Sequence, residues 1–176
     1  MRDGSEQEYV DYVTARIPAL RRLAFLLAGD EHRADDVVQQ TITRLYVKWR
    51  HAQAADNLDR YVRTMLVRTY VDERRLGWAR VRLFRDTPEP ASGGDGVFAG
   101  DGVEDRQVVR AALRQVPRRQ QAVLVLRFFY DLSVEEVAGT LGCSTGTVKS
   151  QTARGLATLR RLLGEREFAR YATAKD

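Results

Sequence analysis

Apolar residues recur at steps of three and four along most of the chain, interrupted by one gap near the middle. Val13, Ile17, Leu20, Ala24 and Leu27 fall on one helical face. Pro18 lies inside this run and predicts a kink or a fresh helix start there. Ala28-Gly29-Asp30 then supplies a stop and a new beginning. A second helix reads from Ala34, Val38, Thr41, Leu45 and Trp49, with Asp36, Gln40 and Thr43 roughly opposite. A third takes Asn57 as its cap and places Leu58, Tyr61, Val62, Met65 and Leu66 on its apolar side. Gly77, in "RRLGW", is its expected C-terminal stop.

The helical rhythm then ceases. "TPEPASGGDGVFAGDGVED" holds two prolines and five glycines with no apolar period. Such a stretch buries too little apolar surface to offset its chain entropy, so it reads as a linker and a domain boundary. After it, "EDRQVVRAALRQV" is one helix, halted by Pro117. "RRQQAVLVLRFFY" is a second, with Val123, Leu124, Leu126 and Phe128 at the density of a buried helix. "SVEEVAGTLG" is a short third, with Ser133 and Glu136 spaced as a capping box and Gly142 closing it. "STGTVKSQTARGLATLRRLLG" is a longer fourth. No segment alternates as a strand does. The expected fold class is all-α: two small helical domains, 1–77 and 105–176, joined by a flexible acidic linker over 78–104.

Composition adds charge distribution to this picture. The chain has 176 residues, enough for one ordinary domain or two small ones. A net charge of +5 is mild and names no partner by itself. However, Asp86, Glu89, Asp95, Asp101, Glu104 and Asp105 lie together in a segment without Lys or Arg, so two basic bodies flank an acidic joint. The single cysteine, Cys143, excludes an internal disulfide and suits a reducing compartment. There is no apolar run of membrane-spanning length and no signal-peptide core in "MRDGSEQEYVDY", so a cytoplasmic location is expected.

Catalytic constellations are missing. His32 and His51 have no metal-ligand spacing with Cys or carboxylates and read as surface residues. Glycines 93 to 102 lack the flanking strand and helix of a nucleotide cradle. Cys143, in a turn, reads as a small packed side chain. No catalytic residue, cofactor or metal is expected.

Two other patterns point to nucleic acid. A capped short helix, the turn Gly142-Cys143-Ser144 and a second amphipathic helix form the helix-turn-helix pattern. Val148, Thr152, Leu156, Leu159 and Leu163 make its inner stripe. Ser150, Arg154 and Arg161 lie opposite, flanked by Lys149 and Gln151. Arg, Lys and Gln hydrogen-bond purine edges in the major groove, and Ser permits close approach. Thr147, near the helix start, is placed for a phosphate. An ordinary surface helix would also carry charge opposite its stripe. Earlier in the chain, Arg60, Arg63, Arg68, Arg74 and Arg75 are interleaved with Tyr61 and Tyr70, after Tyr46 and Trp49. Cations beside aromatic faces suit single-stranded DNA. A core with aromatics inward and arginines outward gives the same pattern.

"RADDVVQQTITRLYVKW" followed by "YVRTMLVRTYVDERR" resembles region 2 of the bacterial extracytoplasmic-function (ECF) sigma factors. "VPRRQQAVLVLRFFYDLSVEEVAGTLGCSTGTVKSQTARGLATLR" resembles their region 4, in the right order after a linker. The Arg-rich, Lys-poor usage matches the actinobacterial members. The resemblance implies a subunit that binds core RNA polymerase, directs it to promoters and assists melting. It implies contact with core polymerase through Asp36, Gln39, Gln40 and Thr43. The loop "RHAQAADNLD" would capture a flipped base of the single-stranded minus-ten element, with Trp49, Arg60, Tyr61, Arg63 and Arg68 around it. Many members carry Asn at the position of Arg68. The duplex minus-thirty-five element would meet Thr147, Lys149, Ser150, Gln151 and Arg154, with Ala153 offering an apolar contact. The acidic linker, with Val97 and Phe98, would thread the polymerase cleft. Members are often held by an anti-sigma protein. The competing reading is a stand-alone helix-turn-helix regulator of duplex operators.

Overall fold

The structure, a computed structural model, describes residues 2–81, 103–165 and 168, and the side chains of 4–72, 107–165 and 168. Every regular element among them is helical. The chain divides into two compact units, Met1–Gly93 and Gly94–Asp176. Within the described residues the first holds α1 (Arg2–Ala28), α2 (Glu31–Val47), α3 (Trp49–Gln53) and α4 (Leu58–Val81). The second holds α5 (Val103–Arg114), α6 (Arg118–Leu124), a π-helical turn (Val125–Phe129), α7 (Val134–Leu141) and α8 (Thr145–Leu163). Asp86, Glu89, Asp95, Val97, Phe98 and Asp101, expected in the linker, lie outside the described residues. Glu104 and Asp105, read as its acidic end, belong to the first turn of α5.

In the first unit α1, α2 and α4 pack on one another, and short α3 rests on α2 and α4. Val13, Leu20, Ala24 and Leu27 are buried from α1, with Val37, Val38 and Leu45 from α2 and Val62, Leu66 and Val67 from α4. Burial of each larger apolar side chain favours folding by about 1.5–3 kcal/mol. Thr41 sits fully buried in the stripe because its hydroxyl donates to the Val37 carbonyl at 2.7 Å.

Neither the fresh helix start offered as one outcome at Pro18 nor the stop expected at Gly77 occurs. α1 runs through Pro18 without restarting. Pro18 removes the partner of the Thr14 carbonyl, but both residues are exposed, so water can serve that carbonyl while buried positions on either side hold the helix down. α4 likewise continues through Gly77 to Val81. Glycine inside a helix costs about 1 kcal/mol but ends one only when it turns left-handed. Gly29 and Gly142 do turn so, at φ 69° and 62°. A third difference is that the first half of "RHAQAADNLD" folds into α3, leaving residues 54–57 as the open connection.

In the second unit α8 is the central element, packed against α5, α6 and α7. Val123, Leu124, Leu126, Val137, Val148 and Leu159 form its core. Phe128, expected inside, is 38% exposed, and Phe129 is 49% exposed. Both lie at the end of the π-helical turn, where Tyr130 N–H donates to the Val125 carbonyl five residues back and the chain leaves the core helix.

Candidate nucleic-acid interface

The helix-turn-helix is built by local hydrogen bonds that the sequence announces. Ser133 Oγ accepts from the Glu136 N–H at 3.1 Å, and Glu136 Oε2 accepts from the Ser133 N–H at 2.8 Å. At the other end of α7 the N–H groups of Gly142 and Cys143 both reach the Ala138 carbonyl. Ser144 then caps α8, its Oγ accepting from the Thr147 N–H at 3.1 Å.

This turn directs one face of α8 outward. Lys149, Ser150, Ala153, Arg154, Arg160 and Arg161 are all exposed and recur at steps of four and seven, on one helical face. Val148, Gly155 and Leu159 are buried on the opposite side. Neither Lys149 nor Arg154 forms an ion pair among the described residues, whereas Arg16 and Arg21 each meet an aspartate. Their charges are therefore uncompensated and directed at solvent. Ser150 and Thr147 are less available. Ser150 Oγ donates to the Thr147 carbonyl at 3.0 Å, and the Thr147 hydroxyl lies 2.9 Å from that of Ser144. Gln151 is half-buried at the edge of the face.

On α4 the structure separates residues that the sequence grouped. Arg60 and Arg68 share an outward row at steps of four with Thr64 and Asp72. Arg63 lies beside that row, half-buried, its Nε buried without a hydrogen-bond partner. Tyr61 is half-buried and meets His51 edge-on at 6.0 Å. Trp49 is the clear correction: it is 6% exposed and packs against Tyr9 and Tyr12, so its ring offers no platform for a base. Arg74 and Arg75 have no described side chains.

On α2, Asp36, Gln39 and Thr43 are exposed and Gln40 is half-buried, together forming a polar face away from the core. Sequence reading missed that Val47, one turn beyond Thr43 and 79% exposed, continues this face. Its signal was the step of four from Thr43.

Behind α2 and α3 lies a cluster of aromatic rings. Tyr9 meets Tyr46 and Trp49 edge-on at 5.1 and 5.4 Å, and its hydroxyl donates to the Ile42 carbonyl at 2.8 Å. Tyr12 donates to Asp59 at 2.9 Å. Burial is the main reason that its phenol ionises well above the usual tyrosine range. The Asp59 hydrogen bond and charge add to this, and Arg16 opposes it. Tyr9 is raised by burial and by Tyr46. No group of three or more His, Cys, Asp or Glu suited to a metal occurs among the described residues. Among the same residues, no helix is long and apolar enough to cross a membrane.

An all-helical chain whose second unit presents an uncompensated basic face on a helix-turn-helix defines a DNA-binding protein. Comparison with known proteins makes the class narrower. Residues 106–159 match the family described as "Sigma-70, region 4", and residues 13–58 match "Sigma2 domain of PhyR". The RNA polymerase sigma-E factor of Streptomyces coelicolor is 33% identical over 98% of this chain and 96% of its own. The ECF RNA polymerase sigma factor EcfG of Rhodopseudomonas palustris is 32% identical over 87% and 83%. A solved sigma factor RpoE from Bartonella quintana, crystallised with the anti-sigma factor NepR, shares the fold. Its TM-score is 0.66 at 24% identity, covering 89% of this chain and 97% of that one. The chain belongs to the ECF RNA polymerase sigma factors. These are non-enzymatic subunits that bind core RNA polymerase and promoter DNA to begin transcription at chosen sites. Similarity across both units, in order, decides against a stand-alone operator-binding regulator.

Proposed function

We propose that this sigma factor divides promoter recognition between its two units. Region 2 corresponds to residues 1–77 and region 4 to 105–176, with 78–104 as the acidic joint. The outer face of α2, with Asp36, Gln39, Gln40 and Thr43, docks on core polymerase. The α3–α4 connection captures a base of the melted minus-ten strand, with Arg60, Arg63 and Arg68 on the basic wall and Tyr61 beside it. Extruding a base costs a few kcal/mol, and a preformed pocket offsets that. The α8 face reads the duplex minus-thirty-five element: Arg154 and Lys149 contact base edges or phosphate, Ser150, Gln151 and Ala153 fill the face, and Thr147 lies near a phosphate.

The observation that supports this reading best is the exposed, unpaired charge of Lys149 and Arg154 on the helix that follows a capped turn. The protein acts in the cytoplasm, where the polymerase is. An anti-sigma protein, the class of partner crystallised with the Bartonella quintana protein, is its proposed regulator. The test is transcription by sigma-free core polymerase from genomic promoter fragments, with and without the protein. Specific run-off products that require the protein are expected. Products formed equally without it would overturn the reading.

A further inference from the structure

A row on α1 meets both ends of the α3–α4 connection. Glu8, Tyr12 and Arg16 follow at steps of four and so lie on one face of α1. Before the connection, Glu8 Oε2 accepts from Gln53 Nε2 at 2.6 Å, and the Tyr12 ring packs on Trp49 at 5.6 Å. After it, the two oxygens of Asp59 are taken separately: Oδ1 by the Tyr12 hydroxyl at 2.9 Å and Oδ2 by Arg16 at 2.6 Å. Arg16 also stands over the Tyr12 ring, 5.9 Å from its centroid. Tyr12 thus touches both flanks at once, through its ring on one side and its hydroxyl on the other.

We propose that Glu8, Tyr12 and Arg16 are positioning residues that fix the α3–α4 connection in its base-capturing conformation and thereby set the selectivity for the minus-ten base. The inference rests on the reading of that connection as the base-capturing loop. The connection's own hydrogen bonds reach only its immediate neighbours in sequence. Ala55 N–H donates to the Ala52 carbonyl at 3.1 Å, and Asn57 Oδ1 accepts from the Arg60 N–H at 2.8 Å. A pocket selects one base only when its walls are held to a fraction of an ångström. Here the rigid partner is a helix whose inner side is locked into the core by Val13 and Leu20. The Arg16–Asp59 pair is about half exposed on both sides, at 48% and 53%. It therefore adds little to global stability. Its consequence is geometric, because Asp59 lies in the first turn of α4 and carries Arg60 beside it.

The test uses holoenzyme reconstituted with core polymerase and a fork-junction DNA pool whose single-stranded non-template tract is randomised. Bound DNA is sequenced, and base enrichment at each position is read. The unmodified holoenzyme is expected to enrich one base strongly at one or more positions. Tyr12→Phe combined with Arg16→Met keeps the ring on Trp49 but removes both bonds to Asp59. It is expected to lower that enrichment about three- to tenfold, while binding to core polymerase is unchanged. Arg16→Lys, which keeps a cation near Asp59, is expected to retain most of it. Enrichment is a ratio, so the sequence-independent effect of changing a charge near DNA cancels. Replacement of residues 54–57 by Gly and Ser provides the second arm. Loss of enrichment in that arm with full enrichment in Tyr12→Phe/Arg16→Met overturns the positioning role alone. Full enrichment in both arms overturns the base-capture reading and this inference with it.

Discussion

Gly155 of α8 lies directly against Leu124 of α6: a Cβ added at Gly155 would stand 2.9 Å from Leu124 Cδ1 and 3.1 Å from its Cγ. The DNA-facing helix therefore approaches the core helix closely at a point where only a hydrogen fits. Gly155→Val is expected to destabilise the second unit by about 1–3 kcal/mol, because Leu124 is buried and cannot swing clear. Gly155→Ala is milder, since the gain in helix propensity offsets part of the crowding. Denaturant unfolding measures both. Adding Leu124→Ala to Gly155→Val should recover part of the loss relative to the sum of the single variants. Strict additivity would show that the contact is not what restricts the site.

The start of α7 depends on a reciprocal pair of bonds between Ser133 and Glu136. Ser133→Ala is expected to cost about 1 kcal/mol, read as a lower urea midpoint with unchanged slope. Ser133→Thr keeps the acceptor oxygen and should hold most of the stability.

Arg154 and Ser150 share the outward face of α8 but differ in freedom. Arg154→Ala is expected to lose about 1–3 kcal/mol of binding to a minus-thirty-five duplex, with relaxed selectivity at one base pair. Ser150→Ala should lose less than about 0.5 kcal/mol, because its hydroxyl already donates to the Thr147 carbonyl. Fluorescence anisotropy on the holoenzyme compares them. An equal loss from the two variants would mean that Ser150 leaves its helical partner on DNA.

Tyr12 gives the first unit an alkaline limit. Its phenol is held neutral above the ordinary value of 10.0, chiefly by burial and then by Asp59. Because the folded state binds this proton more tightly, the associated stability is full below 10.0 and is lost as pH rises through the elevated folded value. Unfolding free energy should therefore fall more steeply above about pH 10 in the unmodified chain than in Tyr12→Phe. Identical slopes would remove Tyr12 from the alkaline transition. Tyr9, raised in the same direction, is present in both chains and drops out of the comparison.

What the sequence determined was local or periodic. The caps Asp30, Asn57, Ser133 and Ser144 are self-contained, since each satisfies a backbone N–H three residues on. The left-handed stops at Gly29 and Gly142 follow from the lack of a Cβ, and the inner stripe of α8 follows from a period of 3.6. The family was legible because two such periodic segments stand in a fixed order. What only the tertiary structure decided depended on partners far away in the chain. Pro18 and Gly77 are tolerated within helices, at Pro18 because buried residues on both sides outweigh one lost hydrogen bond. Trp49 has the composition of a stacking platform but is closed off by Tyr9 and Tyr12, more than thirty residues earlier. Phe128 continues the buried run in sequence but stands at the exposed end of the π-helical turn. The meeting of Glu8, Tyr12 and Arg16 with Gln53 and Asp59 has no sequence signature. Pairing between separate helices depends on how their backbones are docked, and that docking is set by the core as a whole.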